Sequence, residues 1–485
     1  MNYKQKIIIL LVIIMSLVAV GCTKNQLTSN DQQVITQVDI PEMMIKGEET
    51  KFSVEVANTK ESKLDYTWAL KGNTNIGSFG NNTTATPTFK ALQPGQGTIT
   101  VRVRTDDKKI FSSRRIKVLS KKFKSTYGGY GNDGFHAILA TSDGGYLAAG
   151  YDSAFTKQAY AVKGDQAGLK DWAIEVGNKR YPDRFTAVED IVNLLGDEYL
   201  LVGYEGVGNG TYDGYVRKVD ESGEVVNEYI GFVSDRVFFR SAVVTETEDY
   251  LVVVGNDGSS QSAKGYVAKV NLESGERINK KIPVTGYDYI NLRSVVETKK
   301  ENYLVVGYVG NSGSDANMKG VVFKLDSNLE IKDKKYFGTT AQTKLYTIEQ
   351  VKDNNYVLAG TDENKGYLVK IDADLAKVFG KQYSTSTATV LRDVNWDENN
   401  NKYVLAGTKG SVGTIIKVHA DGAIDWSYQA DSTKSVYAKR FDAVAIAEDG
   451  NYFAAGYAQN NEFGDGDQDA YVLKLDSSGE IMNRK

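Results

Sequence analysis

The chain has 485 residues, with 58 Lys and Arg, 62 Asp and Glu, 47 Gly, 30 Tyr, 5 Pro, 2 His and 1 Cys. One cysteine excludes an internal disulfide and a cysteine-rich zinc site, and two histidines exclude a three-histidine catalytic zinc. A formal charge of −4 gives no case for nucleic-acid binding, and abundant glycine and tyrosine with little proline read as a β-rich protein with tight turns.

Lys4 and Lys6 open the chain, followed by an uncharged run from Ile7 to Val20 in which Ser16 is the one polar residue. This run is shorter than the roughly 20 residues that span a bilayer and has the form of a signal-peptide core. It ends in Ala19-Val20-Gly21-Cys22. Those residues resemble the bacterial lipobox, with Ala at position 19 where Leu is commoner. The resemblance implies removal of residues 1–21 and lipidation of Cys22, so that acyl chains hold the protein at the extracytoplasmic face of a bacterial membrane. Residues 22–33 are polar and read as a flexible tether.

Residues 34–119 alternate apolar and polar over short runs, as in Phe52 to Val56 and Thr98 to Val103, separated by turn signals such as Gln93 to Gly97. This predicts a β-sandwich. The runs around Tyr66-Thr67-Trp68, Gly77-Ser78-Phe79 and Gly97 to Val101 resemble PKD-like and other bacterial Ig-like modules, with Trp68 in the core and a spacer or adhesion role implied.

Residues 120–485 repeat. A tyrosine, apolar residues and a glycine recur seven times, at Tyr146, Tyr199, Tyr250, Tyr303, Tyr356, Tyr403 and Tyr452. A lysine comes after each, followed two residues later by an acid in five copies, as in Lys163/Asp165; Asn271 takes the acid's place in the third copy and His419 in the sixth. Each unit reads as four strands, and seven such units predict an all-β chain: an N-terminal Ig-like β-sandwich, then a seven-bladed β-propeller. The repeat text resembles that of cell-surface propellers distantly similar to kelch and PQQ-type repeats. The last unit stops short of its outer strand, and residues about 121–127 are expected to supply it. The lysine and its acid are expected to tie strands or pair at the solvent edge.

Residues that differ between blades are the candidates for binding. Alignment of the first strand gives an apolar position (Phe135, Phe185, Phe239, Leu292, Leu345, Leu391, Phe441) followed by His136, Thr186, Arg240, Arg293, Tyr346, Arg392 and Asp442. First strands line a propeller's channel, so His136, Arg240, Arg293, Tyr346, Arg392 and Asp442 are expected at its mouth. Guanidinium forks there suit a carboxylate or phosphate ligand. The same arginines also read as pairing with Asp442, Asp393 or Glu297. Tyr130, Tyr181, Phe238, Tyr287, Tyr289 and Tyr437 in the adjoining loops are candidates for stacking on sugars or anchoring a protein. Asp465, Asp467 and Asp469 are spaced like the start of a calcium loop, without the glycine such a loop needs.

No nucleophile elbow, zinc-protease or P-loop motif is present, so catalysis and a cofactor are not expected. The expectation is a lipid-anchored, monomeric binding or scaffold protein that engages a protein or surface polysaccharide through the propeller loop face. Alternatives are an envelope-assembly scaffold lipoprotein and a carbohydrate-active propeller enzyme.

Overall fold

The computed structural model describes residues 34–483, apart from 58–62, 106–107, 120–121, 129–130, 154–157, 178–184, 209–210, 231–235, 259–261, 299–301, 312–316, 339–341, 384–385, 435 and 461–466. The expected signal segment, Cys22 and the expected tether therefore lie outside the described residues. The chain is all-β and divides into two compact units, Met1–Lys121 and Lys122–Lys485.

In the first unit, strands Met43–Ile45, Lys109–Leu119, Gly95–Arg104 and Asp65–Gly72 form one sheet in that order. A three-stranded sheet holds Glu49–Lys51, Thr88–Ala91 and Gly77–Phe79, and Val34–Asp39 pairs with Ser53–Ala57. Alternation drives the packing. Ile99, Val101 and Val103 point to one face and are fully buried, while Arg102 and Arg104 between and beyond them are exposed. The buried set meets Phe52, Ile76 and Phe89 in one core around Trp68, as expected for that tryptophan. Its indole Nε1 donates to the Thr84 carbonyl at 2.9 Å, which satisfies the one polar atom of the ring.

The second unit is a β-propeller of seven four-stranded antiparallel sheets among the described residues. Its innermost strands are Gly134–Ala140, Thr186–Leu194, Val237–Val244, Tyr289–Thr298, Thr343–Val351, Thr389–Asp397 and Val436–Ile446. Each touches the innermost strand of the next sheet, and the seventh touches the first, so they form a closed ring. The repeated tyrosine is buried in six blades, and Tyr250 of the third is half-buried. Between blades the core is continuous apolar packing, for example Val252, Val254 and Val267 of the third against Leu292, Val305 and Val321 of the fourth.

Ring closure occurs as expected. Lys124–Tyr127 pairs antiparallel with Gln468–Leu475 as the outermost strand of the last sheet. Phe123 is 1% exposed, wedged against Tyr146 and Phe453. A strand from the start of the propeller thus covers the edge left by its end.

The repeated glycine has a specific task. Gly150, Gly203, Gly255, Gly307, Gly360, Gly407 and Gly456 each face a β-bulge on the neighbouring inner strand. A Cβ at any of the seven would overlap a carbonyl oxygen of that strand. With no Cβ, the inner strand can kink inward by one unpaired residue, which re-aims that residue's side chain. The unpaired residues are His136, Glu189, Arg240, Arg293, Tyr346, Arg392 and Asp442.

The lysine–acid signature differs from expectation. The acid does not tie to its lysine across the strand; it caps the turn into the fourth strand. Asp165 accepts from the Ala167 and Leu169 amides at 2.9 and 2.8 Å, and Asp220, Asp326, Asp372 and Asp476 repeat the pattern. In four blades the lysine meets an acid near the turn between its blade's first two strands: Lys163–Asp143, Lys218–Glu198, Lys417–Asp397 and Lys474–Asp449. His419 is exposed at the surface, 3.6 Å from Asp425.

Candidate functional site: the axial cavity

All seven inner strands line a cavity of about 670 Å³ on the ring axis. Six of the seven bulged residues are the ones expected at the channel mouth: His136, Arg240, Arg293, Tyr346, Arg392 and Asp442. The second blade corrects the alignment. Its bulged residue is Glu189, not Thr186, and its apolar partner is Val188, not Phe185. The spacing to the blade tyrosine carries the signal. It is ten residues in six blades and eleven in the sixth, and counting back ten from Tyr199 gives Glu189.

Charges in the ring are partly paired. Arg240 donates to Glu189 at 2.6 Å and lies over the Tyr204 and Phe238 rings. His136 Nδ1 is 3.6 Å from the same carboxylate and 3.2 Å from the Val188 carbonyl oxygen. Burial alone would raise the Glu189 carboxyl; Arg240, then His136 and Arg293, outweigh burial and hold it below the usual range. Asp442 accepts from Arg440 Nε at 2.7 Å and sits 3.5 Å from Arg392. Glu297, a candidate partner for the arginines, accepts from the Glu246 amide.

Arg293 differs. Among the described residues it has no acid within ion-pair distance; its Nε, like those of Arg240 and Arg392, is buried without a hydrogen-bond partner. Its guanidinium lies 5.7 Å from the Tyr346 ring centre, and that of Arg392 lies 5.6 Å from the same ring. Burial pulls the Arg392 guanidinium below its ordinary value, with Asp442 opposing and Arg440 and Arg293 adding to the effect.

The next residues along the inner strands add Asp190, which sequence reading did not single out, and Asp393, which it offered as a partner for the arginines and which instead binds backbone amides. Asp190 accepts from the Ala242 amide at 3.0 Å, and Asp393 from the Val444 amide at 2.9 Å, so each links its blade to the next. Burial pushes Asp190 up to about 6 and Asp393 up to about 7, against these hydrogen bonds. Glu349 also lines the cavity; burial, then the Asp393 carboxyl, pushes it up to about 8. The wall thus carries four arginines, two acids that answer them, and three acids that burial favours in the protonated form.

The loop aromatics are packed more than presented. Phe238 contacts Tyr204 and Tyr212, each at 4.9 Å between ring centres. Tyr289 accepts from Asn291 at 3.1 Å, Tyr287 packs on Tyr336, and Tyr437 rests on the last blade's core. All four are half-buried. Tyr130 and Tyr181 lie outside the described residues, as does Asp465. Asp467 accepts from the Gly131 amide at 3.0 Å, and Asp469 belongs to the third strand of the last sheet. No group of three or more metal-binding side chains occurs among the described residues.

No protein-family model matches the chain, and no curated protein matches it. Solved structures do. A quinonprotein alcohol dehydrogenase-like protein of Bacteroides thetaiotaomicron is 13% identical, with 93% of this chain and 95% of that one covered at a TM-score of 0.39. Puromycin hydrolase is 13% identical over 73% of this chain and 53% of its own, at 0.50. The periplasmic gluconolactonase of Pseudomonas aeruginosa is 11% identical over 70% and 98%, at 0.46. The likeness to puromycin hydrolase bears on the fold alone and agrees with the propeller. That match also corrects the expectation of a non-enzyme, which rested on missing motifs. Puromycin hydrolase is an enzyme, and this chain spans about half of its length, so missing motifs do not exclude catalysis in a chain that contains this fold.

Proposed function

We propose that the chain is a lipid-anchored, extracytoplasmic binding protein whose axial cavity takes an anionic ligand, a carboxylate-bearing surface glycan above all. Cys22 carries the anchor, residues 22–33 form the tether, and the first unit is an Ig-like spacer. The single observation behind the ligand class is Arg293, a guanidinium in the cavity wall with no acid to answer it among the described residues. Arg392 beside it shares its acid with Arg440. A volume of about 670 Å³ is in the range of small-molecule sites. A carboxylate would relieve both the crowded positive charge and the unmet donors, and planar guanidinium forks favour it geometrically.

Calorimetry with uronate oligosaccharides tests this. Arg293→Gln is expected to weaken binding by about 2 kcal/mol, roughly thirtyfold, the scale of a lost charge-assisted hydrogen bond. Equal affinity in the variant, or no binding of any carboxylate- or phosphate-bearing ligand, removes the reading.

A second reading, a carbohydrate-active enzyme, is favoured by Glu349. A carboxylic acid that keeps its proton at neutral pH inside a ligand-sized cavity is equipped to act as a general acid. Under that reading Glu349→Gln abolishes turnover of an acidic oligosaccharide and leaves its binding in place.

A further inference from the structure

The outer face of the first unit's four-stranded sheet is basic. Cross-strand pairing places Arg104 beside Lys109, Arg102 beside Phe111 and Thr98 beside Arg115. On the other flank Asp65 pairs with Arg104 and Lys71 with Thr98. Directly paired residues share a face, so these side chains stand opposite the buried Ile99, Val101 and Val103. Lys71, Arg102, Arg104, Lys109 and Arg115 are all exposed, and none is in an ion pair among the described residues; Asp65 is the one acid among these paired positions. Phe111 is 74% exposed in their midst. Charge along the chain is divided the same way. Residues 34–119 hold 13 Lys and Arg against 9 Asp and Glu, and residues 120–485 hold 42 against 52. The basic unit is the one next to the tether.

We propose that this face docks the first unit on an anionic lipid surface. Its cations answer lipid phosphates, and Phe111 enters the headgroup layer, where aromatic rings are favoured. The net-acidic propeller is repelled from the same surface. The proposal rests on the reading that residues 22–33 keep this unit close to a membrane.

The test uses an unlipidated chain starting at Thr23, which keeps both units, in co-sedimentation with phosphatidylcholine vesicles with and without phosphatidylglycerol. Binding to the anionic vesicles alone is expected, lost in about 1 M salt, where screening acts within about 3 Å. Arg102→Glu with Arg115→Glu is expected to cut it by about tenfold or more, with an unchanged circular dichroism spectrum because both side chains are exposed. Phe111→Ser weakens binding and leaves its salt dependence. Equal sedimentation with both vesicle types, or undiminished binding in the double variant, overturns the proposal. So does capture by soluble polyphosphate without vesicle binding. Loss in Arg293→Gln but not in the double variant also overturns it, and assigns headgroup binding to the axial cavity. Lipidation is read separately, by palmitate labelling of the full chain against Cys22→Ser.

Discussion

At Glu349, burial and the neighbouring Asp393 carboxyl act in one direction, and the acid rises to about 8. An unfolded glutamate titrates near 4.3. Between those values the folded chain holds a proton that the unfolded chain releases, so stability falls as pH rises through the window. Asp393 at about 7 and Asp190 at about 6 add to that slope. Glu189, held low, opposes it only on acidification. Glu349→Gln is therefore expected to gain on the parent by on the order of 3 kcal/mol between pH 5 and pH 9. Urea melts at the two pH values check this, and parallel behaviour of the two proteins would contradict it. A second residue-level prediction concerns Asp397, which accepts from Tyr452 at 2.6 Å and lies 3.3 Å from Lys417, all three buried. Asp397→Ala leaves the lysine charge unanswered and is expected to cost about 3–5 kcal/mol. Combining it with Lys417→Met should restore much of that loss in the same melts.

The inner strand, with its bulge and the glycine opposite, is the element that builds the cavity. At Gly407 a Cβ would meet the Val390 carbonyl oxygen and the Leu391 backbone. Gly407→Ala must straighten the bulge or displace the strand, so Arg392 loses its aim along with its packing. A destabilisation of about 2–4 kcal/mol is expected, with weaker ligand binding in whatever fraction still folds. Thermal melting and ligand titration of one preparation read both effects; normal values for both would show that the bulge does not depend on the glycine. The repeat made these glycines visible in the sequence, but only the pairing register showed what they face. The second blade illustrates the difference. Its longer entry led to alignment on Phe185-Thr186, and the register places Val188-Glu189 there. The lysine–acid phrase was legible as a recurring feature, yet its chemistry was not. A period of two puts both residues on one face, and only the turn geometry shows the acid capping backbone amides.

Across the whole molecule, closure ties the first strand of the propeller to its last. Phe123 bridges the first and last blades through Tyr146 and Phe453. Phe123→Ala is expected to cost about 3–5 kcal/mol, the range for deleting a buried aromatic. A lowered melting temperature for the propeller would show it, and an unchanged one would mean that the ring closes by other contacts. The sequence by itself determined the all-β class, the count of seven blades, the closing strand and six of the seven residues on the axial bulges. It could do so because these follow from local period and repetition, which neighbouring residues encode. Only the tertiary structure decided which charges answer one another. Glu189 meets Arg240 across 51 positions, Arg293 is left without an acid among the described residues, and Glu349 is raised by burial. Pairing and burial depend on which strands a closed ring brings together, and no local pattern in the chain carries that information.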